Sequence, residues 1–264
     1  MKNENYKILV LDDGSTDNTA LIAGKEGATV VSHPRNFGLA ETFRTEMKEA
    51  LKMNPEIIIH IDADGQYDPK EIPLMIQEVR KGNDLVLSSR FSGKIEEMPL
   101  LKRLGNKAFS KVISNITGQK ITDAQTGFRA FNQKVAELEI RANYTYTQEQ
   151  IIRTVKEKLI VKEVPCVFRK RTGGNSRLIS NPIDYALKAG LNLFRVYRDY
   201  APLKFFGLIG LSLFGIGFII GLYLVFLHLT SGIEGHIALM ILTMILIVTG
   251  LQIILFGFLA DMKK

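Results

Sequence analysis

The chain has 264 residues, of which 46% are hydrophobic and 23% charged, and its formal net charge is +7. Its single cysteine, Cys166, excludes an intramolecular disulfide framework and suits a reducing compartment. The sequence has no internal repeat and no low-complexity tract, so repeat architectures are excluded as well.

The first two thirds of the chain alternate short apolar runs with amphipathic segments. Such alternation predicts an α/β domain with a mostly parallel sheet. Proline at position 69 predicts the start of one of the helices. The predicted elements are strands at 6–11, 28–31, 56–61, 85–88 and 161–168, and helices running through 21–23 and over 39–53 and 69–81.

Acidic residues follow two of these strands. Asp12 and Asp13 come after the first, and Asp62 and Asp64 come after the apolar run 57–59. Strand residues two apart point to the same side, so Asp62 and Asp64 can offer two carboxylates to one divalent cation. Gln66 can add a neutral oxygen. The alternative interpretation of both segments is ordinary turn chemistry, because Asp and Gly are common turn residues.

The last third of the chain is different in composition. Residues 203–229 carry one charge, Lys204 at the edge, and residues 237–259 carry none. About 20 apolar residues span a bilayer, so both segments predict transmembrane helices. The connection 230–236 has no Lys or Arg, whereas the outer flanks do. The positive-inside rule therefore predicts that both termini are cytoplasmic.

Basic residues concentrate directly before the first apolar segment. Residues 169–204 contain eight Lys or Arg and two Asp. Within them, 182–200 places apolar and basic residues at helical spacing, which predicts a helix in the membrane interface that attracts anionic lipid. Nucleic acid is the usual rival partner for a basic patch, but adjacency to the bilayer favours lipid.

Six segments in order resemble one family. The chain is similar to the family 2 glycosyltransferases of the GT-A fold, and within them to the dolichyl- or undecaprenyl-phosphate sugar synthases. The segments that carry the resemblance are 10–17 (VLDDGSTD), 33–39 (HPRNFGL), 62–66 (DADGQ), 88–91 (SSRF), 122–131 (TDAQTGFRAF), and 163–165 (EVP) with 169–178.

The resemblance implies a domain organisation. We expect a GT-A domain over 1–178, a juxtamembrane amphipathic helix over 179–202, transmembrane helices over 203–229 and 237–260, an external loop over 230–236 and a cytoplasmic tail over 261–264. The family opens with an additional βα unit, and this sequence begins at what corresponds to the second strand. We expect that the start lies upstream; the alternative is a shortened protein.

The resemblance also implies an activity and a site. The activity is inverting transfer of a sugar from a UDP- or GDP-sugar to a membrane polyprenyl phosphate, with Mg²⁺ or Mn²⁺ as cofactor. The implied catalytic residues are Asp62, Asp64, Arg90 and Asp123. The implied ligands are Asp12, Asp13, Asp62 and Asp64 for the nucleotide-sugar, Asp62, Asp64 and Gln66 for the metal, and Arg90, Arg103, Arg129 and Arg171 for the acceptor phosphate.

Two other functions stay open at this point. One is a glycosyltransferase that acts on another lipid or a lipid-linked glycan; a processive synthase is disfavoured because the chain has no Trp for the Gln-x-x-Arg-Trp motif of that class. The other is a non-catalytic membrane scaffold. For single residues, Glu149 is either a wall of the site or a helix-surface glutamate, and His33 and His60 are interpreted as structural.

Overall fold

The structure is a computed structural model that describes residues 6–141, 146–170 and 182–262. Its contacts divide the chain into two compact units, Met1–Asn192 and Leu193–Lys264. The strands are β1 (Leu9–Asp12), β2 (Thr29–Ser32), β3 (Ile57–His60), β4 (Leu85–Ile95), β5 (Arg129–Asn132) and β6 (Val161–Phe168). The helices are α1 (Thr19–Lys25), α2 (Leu39–Lys52), α3 (Ile72–Arg80), α4 (Leu100–Thr117), α5 (Gln133–Ala136), α6 (Tyr146–Lys156), α7 (Pro182–Tyr200), α8 (Pro202–Thr230) and α9 (Ile237–Asp261), with one turn of 3₁₀ helix at Pro69–Glu71.

The first unit contains two sheets. β1 and β2 form a parallel pair, and β3, β5, β4 and β6 form a four-stranded sheet in that order. β4 and β6 are parallel, while β5 is antiparallel to both β3 and β4. The predicted α/β class with parallel strands is therefore confirmed, and the larger sheet is mixed because β5 runs against its neighbours.

The core of this unit lies on β4 and its neighbours. Leu85, Val86 and Leu87 are fully buried, which fits a central strand between two others. The register of β4 against β6 is irregular between Ser89 and Lys94. At Gly93 an added Cβ would lie 1.9 Å from the Cys166 carbonyl oxygen, so the two backbones approach closely there.

Most predicted elements are present with small shifts of their ends. α2 buries Phe43, Met47 and Ala50 on one face, as its apolar spacing predicts. The helix predicted at 69–81 begins as the 3₁₀ turn, with the Asp68 side chain accepting a hydrogen bond from the Lys70 N–H. Cys166 of β6 is 3% exposed and belongs to the hydrophobic core.

Among the described residues, two helices are long and apolar enough to cross a membrane, and both of them, α8 and α9, lie in the second unit. Glycines seven residues apart line their contact: Gly210 and Gly217 on α8, Gly250 and Gly257 on α9. An added Cβ at Gly210 would lie 2.6 Å from the Gly250 carbonyl oxygen, and one at Gly250 would lie 2.6 Å from the Phe214 nitrogen. Small residues thus let the two backbones touch.

Gly217 and Gly221 form a second pair of small residues on α8, four positions apart. Both face α9: added Cβ atoms would meet Leu246 and Thr243, at 2.9 and 3.4 Å. Gly207 has no atom of the described residues within 4 Å of such a Cβ, so it does not belong to the contact.

Candidate active site

The acidic segment after β3 forms a tight loop. Gly65 has φ 75°, a backbone conformation that favours glycine. The Asp64 carboxylate accepts a hydrogen bond from the Gln66 N–H (3.1 Å), which closes the turn. Asp62 is exposed and Asp64 is half-buried. The loop therefore places two carboxylates directly after β3.

The Asp62 side chain rests on the backbone of a second segment. An added Cβ at Gly127 would lie 2.0 Å from Asp62 Oδ2 and 2.6 Å from its Cγ. Any side chain at position 127 would therefore displace the carboxylate. Gly127 belongs to the loop that precedes β5, so β3 and β5, neighbours in the sheet, bring the two segments together.

Two further contacts connect the Asp62–Gln66 loop to the end of β6. The backbone of Gln66 accepts a hydrogen bond from the Arg169 N–H (2.8 Å), and Gln66 Nε2 donates to the Arg169 carbonyl (3.3 Å). Arg169 also forms an ion pair with Asp68. The amide of Gln66 is thus oriented by the segment that follows β6.

Asp12 ends β1, Asp13 follows it, and the two have different surroundings. Asp12 is buried and accepts a hydrogen bond from the Ser15 N–H (3.1 Å); hydrogen bonding by Ser15 lowers the pKa of its carboxyl despite burial. Asp13 binds the 33–38 segment, with Oδ1 accepting from the Phe37 N–H and Oδ2 from the Gly38 N–H, both at 2.9 Å.

The same Asp13 carboxylate lies 2.8 Å from Nδ1 of His33. Burial raises the pKa of Asp13, but the hydrogen bonds from His33, Phe37 and Gly38 outweigh it and the net shift is downward. The other ring nitrogen of His33 lies 2.9 Å from Thr45 Oγ1. His33 therefore connects β2 to α2, in agreement with the structural role predicted for it.

Arg90 and Asp123 form a buried bidentate pair. Asp123 is 0% exposed, and its two oxygens accept from Arg90 Nε (2.6 Å) and Nη2 (2.7 Å), while the Arg90 N–H adds a third bond at 3.0 Å. The guanidinium lies 5.2 Å from the centre of the Phe168 ring. The carboxylate keeps the pKa of Arg90 raised although burial opposes it.

Glu163 of β6 holds the backbone on which Asp123 lies. Its carboxylate accepts hydrogen bonds at 2.9 Å from the N–H groups of Thr122 and Asp123 and from Thr122 Oγ1. In the sequence, Glu163 is identified only as part of the motif 163–165. The buried face of β6 carries Val164, Cys166 and Phe168, and Glu163 lies on the other, half-buried face, so the strand pattern gives no signal for this role.

Comparison with known proteins decides the family. The sequence model of "Glycosyl transferase family 2" matches residues 1–138. The UDP-N-acetylglucosamine–dolichyl-phosphate N-acetylglucosaminyltransferase of Methanococcus voltae is 31% identical over 190 residues, 62% of this chain and 76% of that protein. This chain belongs to glycosyltransferase family 2.

Two further comparisons extend this result. The dolichol-phosphate mannosyltransferase of Pyrococcus furiosus is 28% identical over 245 residues, 89% of this chain and 67% of that protein. The solved structure of glucosyl-3-phosphoglycerate synthase from Mycobacterium tuberculosis, with Mn²⁺, UDP and glucosyl-3-phosphoglycerate, superposes with a TM-score of 0.54 at 19% identity, covering 71% of this chain and 68% of the other. The second similarity supports the GT-A-like fold of this glycosyltransferase.

The residues of the Asp62–Gln66 loop fit a divalent metal. Their donor atoms are carboxylate and amide oxygens, which Mg²⁺ and Mn²⁺ prefer, and Gly127 leaves the space that the Asp62 carboxylate fills. Among the described residues, no group of three or more His, Cys, Asp or Glu could hold a metal alone. A metal held by two carboxylates completes its shell with water and substrate phosphates.

The other predicted residues of this glycosyltransferase lie in different places. Arg129 is 0% exposed; it donates to the carbonyls of Ala124, Thr126 and Thr147 and to Gln150 Oε1, and burial lowers its pKa to about 10. Arg103 is exposed on α4. Arg171 lies outside the described residues.

Glu149 and His60 are interior. Glu149 is fully buried, with Arg153 Nε at 2.7 Å, so it is not a helix-surface residue. His60 Nδ1 lies 2.8 Å from Glu46. Burial lowers the pKa of His60, but the Glu46 carboxylate outweighs it and the net shift is upward.

Proposed function

We propose that this family 2 glycosyltransferase transfers a sugar, with inversion, from a UDP- or GDP-sugar to a membrane polyprenyl phosphate. The observation that carries the proposal is the pair Asp62 and Asp64 after β3, with Asp62 seated beside Gly127, in a chain whose described residues include two apolar helices. The first feature is suited to a nucleoside diphosphate with its metal, and the second to a lipid acceptor.

On the donor side, Asp62, Asp64 and Gln66 would hold Mg²⁺ or Mn²⁺. The metal supplies charge stabilisation to the nucleoside diphosphate that leaves the anomeric carbon. Asp12 ends β1 and Asp13 follows it, and both would contact the nucleoside. Both carboxyls have lowered pKa values, so they are ionised at neutral pH and accept hydrogen bonds from ribose or base.

On the acceptor side, a phosphate monoester is largely dianionic near neutral pH and needs positioning more than a general base. Arg103 and Arg171 would contribute charge. Arg90 would contribute Nη1, which has no hydrogen bond with the described residues. Asp123 would fix Arg90, and Arg129 would support the loop through the carbonyls of Ala124 and Thr126.

The relatives favour the same acceptor. The Methanococcus voltae and Pyrococcus furiosus proteins are named as transferases to dolichyl phosphate. We place the catalytic unit and both termini in the cytoplasm, because the connection between α8 and α9 lacks Lys and Arg. Residues 182–200 would lie in the membrane interface, where exposed Leu187 and Leu191 contact lipid.

The test is sugar transfer by the full chain in lipid nanodiscs. UDP- and GDP-sugars would be offered with Mn²⁺ and undecaprenyl or dolichyl phosphate, and the lipid fraction analysed by mass spectrometry. We expect one sugar-phosphate lipid whose formation stops with a chelator and returns with Mn²⁺. A sugar found only on another lipid or on a glycan would contradict the acceptor, and a chelator-resistant product would contradict the metal.

A further inference from the structure

The hydroxyl of Tyr67 lies at the junction of the two segments that meet at the proposed metal site, the Asp62–Gln66 loop and the loop before β5. Tyr67 is 4% exposed, and its backbone pairs with Phe168 in an isolated antiparallel bridge. Its ring packs on Phe128 and Phe168, with ring centres 5.6 and 5.3 Å away. The backbone and the ring of Tyr67 are thus both held by the core.

The hydroxyl reaches the segment before β5. It accepts a hydrogen bond from the Gly127 N–H (3.0 Å) and lies 3.2 Å from Thr126 Oγ1, which in turn lies 2.9 Å from Ser88 Oγ. Because the Gly127 N–H is buried, the Tyr67 oxygen is the acceptor that keeps this amide satisfied. Burial raises the pKa of Tyr67 to about 12, so the hydroxyl keeps its proton at neutral pH.

The α-carbon of Gly127 is the surface on which the Asp62 carboxylate rests. An added Cβ there would overlap Oδ2 of Asp62 at 2.0 Å, so a shift of this backbone toward the loop moves the carboxylate. The contact therefore runs from Tyr67, inside the loop sequence, through Gly127 and back to Asp62 at the start of the same loop. This closed arrangement fixes both ends of the segment 62–67.

We propose that the Tyr67 hydroxyl is a positioning group for Asp62: it holds the Gly127 backbone in the one place that lets the carboxylate bind a divalent cation. The inference rests on the proposed metal site. Outer-shell partners of this kind typically change metal affinity by about 10- to 100-fold when removed. Tyr67 touches no substrate in this role.

The test compares Mn²⁺ binding by wild type and by Y67F, which removes one oxygen and keeps the ring. Free Mn²⁺ is measured by electron paramagnetic resonance with the full chain in nanodiscs and excess UDP, and in parallel with GDP. We expect Y67F to raise the Kd of Mn²⁺ about 10-fold. The matched control is S88A, which removes the other partner of Thr126 but no contact to Gly127; its Kd should stay within about twofold of wild type.

A second variant, G127A, tests the contact between Gly127 and Asp62 directly. G127A pushes directly on Asp62 and should weaken Mn²⁺ binding at least as much as Y67F. Both changes act through Asp62. The Kd of Mn²⁺ in the double variant should therefore rise by much less than the product of the two single fold-increases. If Y67F is too unstable to purify, G127A against S88A tests the contact between Gly127 and Asp62, and an unchanged Kd of Mn²⁺ in G127A overturns the inference.

The outcomes separate the inference from the function. Wild type that binds no Mn²⁺ with either nucleotide overturns the proposed metal site, and the inference with it. Wild-type binding with an unchanged Kd in Y67F, or with S88A weakened equally, overturns the inference alone. If the fold-increases in the Kd of Mn²⁺ for Y67F and G127A multiply in the double variant, the two changes act independently, and this result also overturns the inference.

Discussion

At the scale of single residues, Arg90 and Asp123 form a buried ion pair. All three donors recorded for Arg90 go to one carboxylate, and neither side chain is more than 5% exposed. Such a pair is costly to break from one side, because the remaining charge stays buried without its partner. The pair therefore holds the loop before β5 onto β4.

A substitution on one side of this pair should be strongly destabilising. We predict that D123N lowers the free energy of unfolding by about 3 kcal/mol, because it leaves the Arg90 guanidinium buried without a counter-charge. Thermal unfolding followed by circular dichroism measures this. The control is E157Q, at an exposed position after α6, which should leave the midpoint unchanged; equal midpoints for D123N and wild type would show that the pair is not maintained.

Asp13 gives a prediction with a pH dependence. Its carboxyl has a lowered pKa in the folded chain, so its stabilisation is present above the unfolded-state value near 3.8 and is lost as pH falls through the folded value. D13N should therefore cost about 2 kcal/mol at pH 7, from the charged hydrogen bonds to Phe37 and Gly38.

The difference between D13N and wild type should shrink below about pH 4, where the wild-type carboxyl begins to take up a proton. Denaturation midpoints at pH 7, 5 and 3 provide the comparison. A difference that grows toward low pH would contradict the sign of the shift and with it the role of Asp13 as an ionised acceptor for the 33–38 segment.

At the scale of elements, the hairpin of α8 and α9 depends on glycine. Gly250 touches the backbone of α8 at Phe214, so G250L should force the helices apart by about 2 Å, the difference between close small-residue packing and ordinary side-chain packing. Spin labels at exposed Leu208 and Leu255 in a C166A background report the distance. G207L is the matched control, because that position faces no neighbour in the described part of the chain; equal distances in both variants would refute the contact.

The elements that sequence predicts well are those with a strong local pattern. Residues 161–168 form β6 as predicted, and the apolar spacing of Phe43 and Met47 marks the buried face of α2. The direction of β5 was not predictable, because residues 129–132 carry no signal for which neighbour they pair with. β4 extends to Ile95, beyond the predicted Ser88, because the irregular stretch 89–94 is not an apolar run.

In the candidate site, too, the features with a local pattern were predictable and those that depend on strand pairing were not. Local spacing identifies Asp62 and Asp64 as neighbours, since both belong to one turn. The partnership of Arg90 with Asp123 and the seat of Asp62 on Gly127 join residues 33 and 65 positions apart, and only the pairing order of β3, β5 and β4 brings them together. Arg129 is a motif residue whose burial no local pattern reveals.

At the scale of the whole molecule, the single thiol reports on the first unit. Cys166 is 3% exposed, and burial raises its pKa to about 11, so at pH 8 only about one thiol in a thousand is ionised. We predict no labelling of the native protein by maleimide over hours, and complete labelling when denaturant unfolds this unit. Rapid labelling without denaturant would show that β6 is not packed as described.

The most direct test of the central claim is the rate of sugar transfer to polyprenyl phosphate by D64N, compared with wild type and E56Q in nanodiscs with Mn²⁺. Glu56 directly precedes β3, at the end of the strand opposite to Asp62 and Asp64, and its carboxylate is exposed. We predict a loss of at least about 100-fold for D64N, because the leaving diphosphate loses a ligand of its metal, and an unchanged rate for E56Q. A D64N rate within a few-fold of wild type would contradict a metal-assisted transferase that works through this loop.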